Sequence, residues 1–217
     1  MESEVLVIPQ PYWSALETVM TDDSARSPAK AGKASPPDEQ DPHAAWSRAM
    51  KHWPAETVWL RRADAEGDEG YLQIIPYALL RDGSGALWCY RRRGGDARLR
   101  ERFSCGVGGH VDREDEDATL AATVWNALLR ELGEELNWQP PPEPHQPLAW
   151  IYEGVSPIGR VHAGLLYLLD WRGAEPPRSV DPALAGMGFL PAAEIIAEPR
   201  FELWSRLAAR HVSERGE

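Results

Sequence analysis

A mixed α/β fold, with helices layered on a central mixed sheet, is what the sequence predicts. Two observations lead there. Apolar runs of strand length recur at 4–9, 71–80, 86–92, 147–153 and 161–170, separated by turn residues. Between the third and fourth of these lies one dominant helical pattern, 117–136, in which Leu120, Val124, Leu128, Leu132 and Leu136 recur every four residues. Strands interrupted by one long helix suit layers packed around a sheet. The 217 residues allow one large domain or a domain with extensions.

Taken in order, EVLVIP at 4–9 reads as a short apolar strand, and PYWSALETVM as helix-like to Met20. From Thr21 to His43 the chain is rich in Pro, Ser, Ala and charge and has no aromatic residue, so a flexible loop is expected over 21–43. The segment 45–60 carries Trp46, Trp53 and Trp59 and should be ordered. This divides the chain into an N-terminal extension, 1–60, and a main domain, 61–217. YLQIIPYALL at 71–80 reads as a strand whose Pro76 suggests an edge position or a bulge. Asp-Gly-Ser-Gly then turns the chain into a returning strand, ALWCYRR. The stretch 104–111, SCGVGGHV, is made of small residues that let backbone approach a ligand. Asp115 or Asp117 is expected to cap the long helix. Asn137, which tolerates the left-handed conformation, should end it before the prolines at 140–144. Two strands follow, then a short helix at 192–197 and a last helix at about 200–213 carrying Phe201, Leu203, Trp204, Leu207 and His211.

Composition removes some functions. Acidic residues outnumber basic ones by 34 to 23, for a net charge of −11. That balance argues against general nucleic-acid binding, which needs a basic footprint, and against anionic membrane surfaces. It leaves room for a small phosphate-bearing substrate, because a bound divalent metal reverses the local field. Two cysteines, Cys89 and Cys105, read as free thiols in a reducing compartment. No apolar run reaches the length of a transmembrane helix, and residues 1–5 carry two glutamates and no basic residue, unlike a secretory signal. A cytoplasmic protein is the expectation.

The segment Arg130-Glu131-Leu132-Gly133-Glu134-Glu135 carries the chemistry. On a helix, Glu131 shares a face with residues three and four further on, so three carboxylates converge within one turn. A Glu-rich solvent face with an ordinary Arg130–Glu134 ion pair is one explanation. The other is a divalent metal, because an all-carboxylate set suits Mg²⁺ or Mn²⁺.

This segment matches the R-E-U-x-E-E core of the Nudix box, written G-x5-E-x7-R-E-U-x-E-E-x-G-U, where U is a bulky aliphatic residue. Gly108-Gly109 resembles the glycines that open the box. LQIIPYALL, ARLRERFSCGVGGHVD, RELGEEL and VHAGLLYLL look like one MutT-like branch of predicted phosphoesterases with a GIGGH-type loop. The resemblance covers about 4–12 and 55–212. It implies a Nudix-type α/β/α sandwich with a central mixed sheet and a loop–helix catalytic motif. The sequence departs from the box in three places. Fifteen residues, not seven, separate Glu114 from Arg130. The first glutamate is therefore unassigned among Glu114, Asp115 and Glu116. Asn137 replaces the box glycine, and Trp138 takes the closing aliphatic position.

By resemblance, the chain is a Mg²⁺- or Mn²⁺-dependent pyrophosphohydrolase acting on a nucleoside diphosphate derivative or a similar small X-linked diphosphate. Glu131, Glu134 and Glu135 would hold the metal with the Gly109 carbonyl. Glu131 or Glu153 would be the base, and Arg130 would orient a glutamate. Gly108 and His110 would meet phosphate, although His110 also reads as a hydrogen-bonded structural residue. His162 could point into the cleft. In the basic run 91–102, Arg91 and Arg93 share one strand face and Arg92 the other, and one or two of these arginines would clamp phosphate if the run is not simply a solvated hairpin end. Trp88, Trp125, Trp138 and Trp150 are candidate walls for the rest of the substrate. The resemblance also leaves room for a homodimer.

Overall fold

The structure is a computed structural model that describes residues 3–14, 45–49 (backbone only), 53–94, 99–141 and 145–215. Strand β1 spans Glu4–Pro9, and helical backbone follows at 10–14. The expected helix beyond residue 14 and the expected loop at 21–43 lie outside the described residues. Next come β2 (Ala45–Ala49), β3 (Val58–Arg61), a single helical turn α1 (Arg62–Ala65), β4 (Tyr71–Arg81) and β5 (Leu87–Arg92). Two short strands, β6 (Phe103–Ser104) and β7 (Gly106–Val107), precede the long helix α2 (Leu120–Leu136). The chain closes with β8 (Ala149–Glu153), β9 (His162–Asp170), β10 (Leu184–Leu190), α3 (Ala192–Ala197) and α4 (Leu203–Arg215).

The strands form one ten-stranded mixed sheet with the order β10-β5-β4-β9-β8-β2. β1 joins it on β4 and carries β3 outward, while β6 pairs with β5 and β7 with β4. The pairing β4–β9 is parallel from Gln73↔His162 to Arg81↔Asp170, and the others are antiparallel.

β4 shows why the sheet has two covered faces. Side chains alternate across a strand. Leu72, Ile74, Ala78 and Leu80 join one core with Val124, Leu128 and Leu132 of α2. Tyr77 and Leu79 join a second core with Leu207, Ala208 and Val212 of α4. Helix, sheet and helix thus form the expected α/β/α sandwich. Strand β10 was not legible beforehand, because LAGMGFL has weak strand character and only Leu184 of it is buried.

Three local expectations are corrected. Pro76 marks neither an edge nor a bulge. β9 pairs with β4 along its length, and Pro76 falls where the opposite flank passes from β1, at Gln73, to β7, at Ala78, so no ladder bond is lost there. The α2 cap is Thr119, whose hydroxyl accepts from the Ala122 amide at 3.2 Å, and neither Asp115 nor Asp117. The tryptophans Trp88, Trp125 and Trp150 lie fully within the core, and Trp138 packs on its edge. As expected, Asn137 ends α2 in the left-handed conformation (φ 49°, ψ 39°).

Candidate functional site

The glycine loop between β7 and the long helix is shaped by what it must pass. A Cβ on Gly108 would fall 1.8 Å from the Pro76 carbonyl oxygen, and one on Gly109 would fall 2.3 Å from Glu131 Oε1. Only glycine lets this backbone lie against β4 and against the helix carboxylate.

Arg130 ties the loop to the helix. Its Nε and Nη2 donate to the two Asp115 oxygens at 3.0 and 2.9 Å. Nη2 also donates to the His110 carbonyl at 2.9 Å, and Nη1 donates to Glu131 Oε1 at 2.8 Å. Asp115 is buried and accepts from the Asp112 amide at 2.8 Å, which closes the turn Arg113–Asp115. Of the acids left open for the first box position, Asp115 therefore holds the paired place. Glu114 is exposed and stands 3.9 Å from Arg130, and Glu116 accepts from Trp59 Nε1 at 3.3 Å. Counted from Gly109, five residues precede Asp115, so the G-x5 spacing holds with Asp in place of Glu. The bidentate fork explains the preference.

The three helix glutamates differ in their surroundings. Glu134 is largely exposed, 3.9 Å from Arg130. Glu131 is mostly buried, and burial raises its pKa against the lowering effect of Arg130. Glu135 is buried enough that its carboxyl is pushed up to about 8, with Arg92 opposing and Glu131, Asp181 and Glu134 adding to the rise. Its Oε2 is shut off from solvent with no hydrogen-bond partner among the described residues. Among the described residues no three His, Cys, Asp or Glu side chains are already drawn together in metal-ligand geometry. The residues nonetheless fit a hard cation: the donors are all oxygen, they share one helix turn, and the unpartnered Glu135 oxygen lacks a positive neighbour at bonding distance.

A cavity of about 450 Å³ opens beside this loop, lined by Gly108, Gly109, His110 and Glu131 at one end. His162 also lines it. Its Nδ1 donates to the Ile158 carbonyl at 2.8 Å, and its Nε2 shares a hydrogen bond with His110 Nε2 at 3.3 Å. Burial, then Arg62 and His162, push the His110 pKa down to about 3, which keeps His110 neutral. Glu153 lines the cavity too, but its oxygens accept from the Val155 and Ser156 amides at 2.9 and 2.8 Å and from the Ser156 hydroxyl. Its carboxylate organises its own loop.

The basic run divides in a way the sequence left open. Arg92 lines the cavity, as does Arg102, whereas Arg91 pairs at 3.8 Å with Glu101 outside it and Arg93 is exposed. Neither Arg91 nor Arg93 belongs to the cavity wall. The candidate tryptophans do not line it either. The indole that does is Trp204, on α4. Arg62 of α1, Glu202 and Trp204 went unnoticed in the sequence. Arg62 stands at the start of the main domain in a stretch that carries no motif, and the other two looked like ordinary residues of a closing helix.

No family model matches the chain. It is 31% identical over 156 residues to Protein YmaB of Bacillus subtilis (strain 168), a match covering 68% of this chain and 74% of that one. Its fold superposes with a TM-score of 0.65 on the crystal structure of Tm1382, described as a Nudix hydrolase, at 19% identity and across 98% of this chain and 99% of the other. An α/β/α sandwich with a glycine loop and a carboxylate helix at its open end defines a class. The chain belongs to one family with Protein YmaB, and its fold is of the Nudix type.

Proposed function

We propose that the chain is a divalent-metal-dependent hydrolase that cleaves the diphosphate linkage of a small molecule, a nucleoside diphosphate derivative or a comparable X-linked diphosphate. The observation that carries this reading is the Glu135 oxygen, buried and unpartnered on the same helix turn as Glu131 and Glu134. Glu131, Glu134 and Glu135, with the Gly109 carbonyl, would hold Mg²⁺ or Mn²⁺. The ion, when bound, neutralises phosphate charge and lowers the pKa of the attacking water. Arg130 fixes Glu131 by its 2.8 Å hydrogen bond, so that this carboxylate is held ready to take a proton. Gly108 and Gly109 leave the loop backbone bare, which lets phosphate oxygens approach its amides. Neutral His110 can serve that end as a hydrogen-bond acceptor or donor without adding charge. In-line displacement at phosphorus needs chiefly positioning and charge stabilisation, and these groups supply both.

The test is release of phosphate or monophosphate from a panel of nucleoside di- and triphosphates, ADP-ribose, dinucleoside polyphosphates and nucleotide sugars, with Mg²⁺ or Mn²⁺ and with chelator. Turnover is expected to need the metal and to vanish in the Glu134→Gln, Glu135→Gln double variant. Metal-independent nucleotide binding without turnover on any compound would reject the enzyme and leave a binding module.

A further inference from the structure

Where β5 meets the start of α4, the cavity has a built polar floor. Glu202, immediately before α4, lines the cavity and is only 8% exposed. Its Oε1 accepts from Ser104 Oγ at 2.7 Å, from Tyr77 Oη at 3.0 Å and from Ser205 Oγ at 3.2 Å. No hydrogen bond reaches Oε2 from any described residue. Arg92 lies beside it, with Nη2 3.9 Å from Glu202 Oε1. Its Nε donates to Ser104 Oγ at 2.9 Å and its Nη2 to Tyr90 Oη at 3.0 Å, and Nη1 is left over. Tyr90 is itself fixed by donating to the Gly106 carbonyl at 2.6 Å. Hydroxyls from four separate segments thus hold a carboxylate and a guanidinium side by side, each with one group to spare.

The walls above this floor are apolar and flat. Trp204 and Phe201 line the cavity, with Ile75 beneath. The indole stands edge-on to Tyr77, with ring centroids 5.7 Å apart.

A carboxylate oxygen only accepts and a guanidinium N–H only donates. A partner must therefore offer a donor next to an acceptor, on a ring thin enough to lie along Trp204. We propose that the Arg92–Glu202 pair is the specificity element for the part of the substrate beyond the diphosphate, and that it reads the hydrogen-bonding edge of a nucleobase. The cavity volume of about 450 Å³ lies within the range of small-molecule sites, roughly 300–1,000 Å³. This inference takes its orientation from the hydrolase reading but is tested apart from it.

The experiment is titration calorimetry in metal-free buffer with GMP, UMP, AMP, CMP and ribose 5-phosphate, on the full chain and on Glu202→Gln. The substitution keeps shape and turns the cavity-facing acceptor into a donor. At least one nucleotide is expected to bind about tenfold or more tighter than ribose 5-phosphate, as a hydrogen bond to a charged group allows, and Glu202→Gln should erase that margin. If Glu202→Gln does not give a native melting transition, Trp204→Leu replaces it and should bring nucleotide affinity down to that of ribose 5-phosphate. Equal binding of all five compounds, no binding of any nucleotide, or a preference that survives the substitutions overturns the proposal. A nucleotide preference without turnover on any diphosphate would sink the hydrolase and leave this pair standing. Turnover without that preference would do the reverse.

Discussion

Arg130 is the residue on which the site turns, because one guanidinium joins the loop, Asp115 and Glu131. Replacing Asp115 by Ala leaves that cation without its bidentate partner at a position where Arg130 is only 18% exposed. We expect a loss of about 2–3 kcal/mol in urea unfolding, below the cost for a pair buried on both sides, and a fall in any turnover as Glu131 loses its orientation. Glu135 gives a pH dependence whose sign follows from its shift. Its folded pKa, about 8, lies above the ordinary 4.5. The fold therefore favours the protonated form. The stability this group contributes is complete below about pH 4.5 and is lost as the pH rises through about 8. In chelated protein the urea midpoint should fall across that window, and Glu135→Gln should flatten the slope. A slope unchanged in the variant would mean that another group titrates. The sequence disclosed the glutamates, because their spacing is local. It did not choose among Glu114, Asp115 and Glu116, since three consecutive acids differ only in the direction the backbone gives them.

At the level of elements, the end of α2 was legible to the residue, because a four-residue leucine repeat and a terminal Asn leave few alternatives, whereas its start lies three residues beyond the expected 117. Its end explains the departure from the box glycine: Asn137 adopts the left-handed backbone that a glycine would. Asn137→Gly should be neutral or slightly stabilising in thermal melts. Asn137→Val should cost about 1–2 kcal/mol, the strain of a β-branched residue in that region. Equal melting temperatures for the two variants would refute the role given to this cap. The strand bearing Arg91 and Arg92 was read correctly, though Arg93 lies beyond its end, and alternation does not say which face meets the cavity. That depends on β6 and α4, which arrive from elsewhere in the chain. Glu202 meets Ser104 and Tyr77 across 98 and 125 residues, a convergence that no local pattern announces.

Across the whole molecule, two opposed cores leave both cysteines inside. Cys89 and Cys105 have no exposed surface, and burial pushes the Cys89 thiol up to about 12 and that of Cys105 well above its ordinary value. At pH 8 Ellman's reagent should react slowly with the native protein and release two equivalents at once in urea. Rapid labelling of the folded chain would contradict this packing. The parallel pairing of β4 with β9 has a consequence in time as well as in space. Arg81 and Asp170, joined at 2.8 Å, are 89 residues apart, and α2 lies wholly within the loop they close. The helix can form from its own neighbours within microseconds, whereas that closure carries an entropic cost before any contact rewards it. The carboxylates are thus arranged on their helix early in folding. The cavity they serve, lined by residues of β4 and α4, needs contacts between distant segments and cannot be complete before they form.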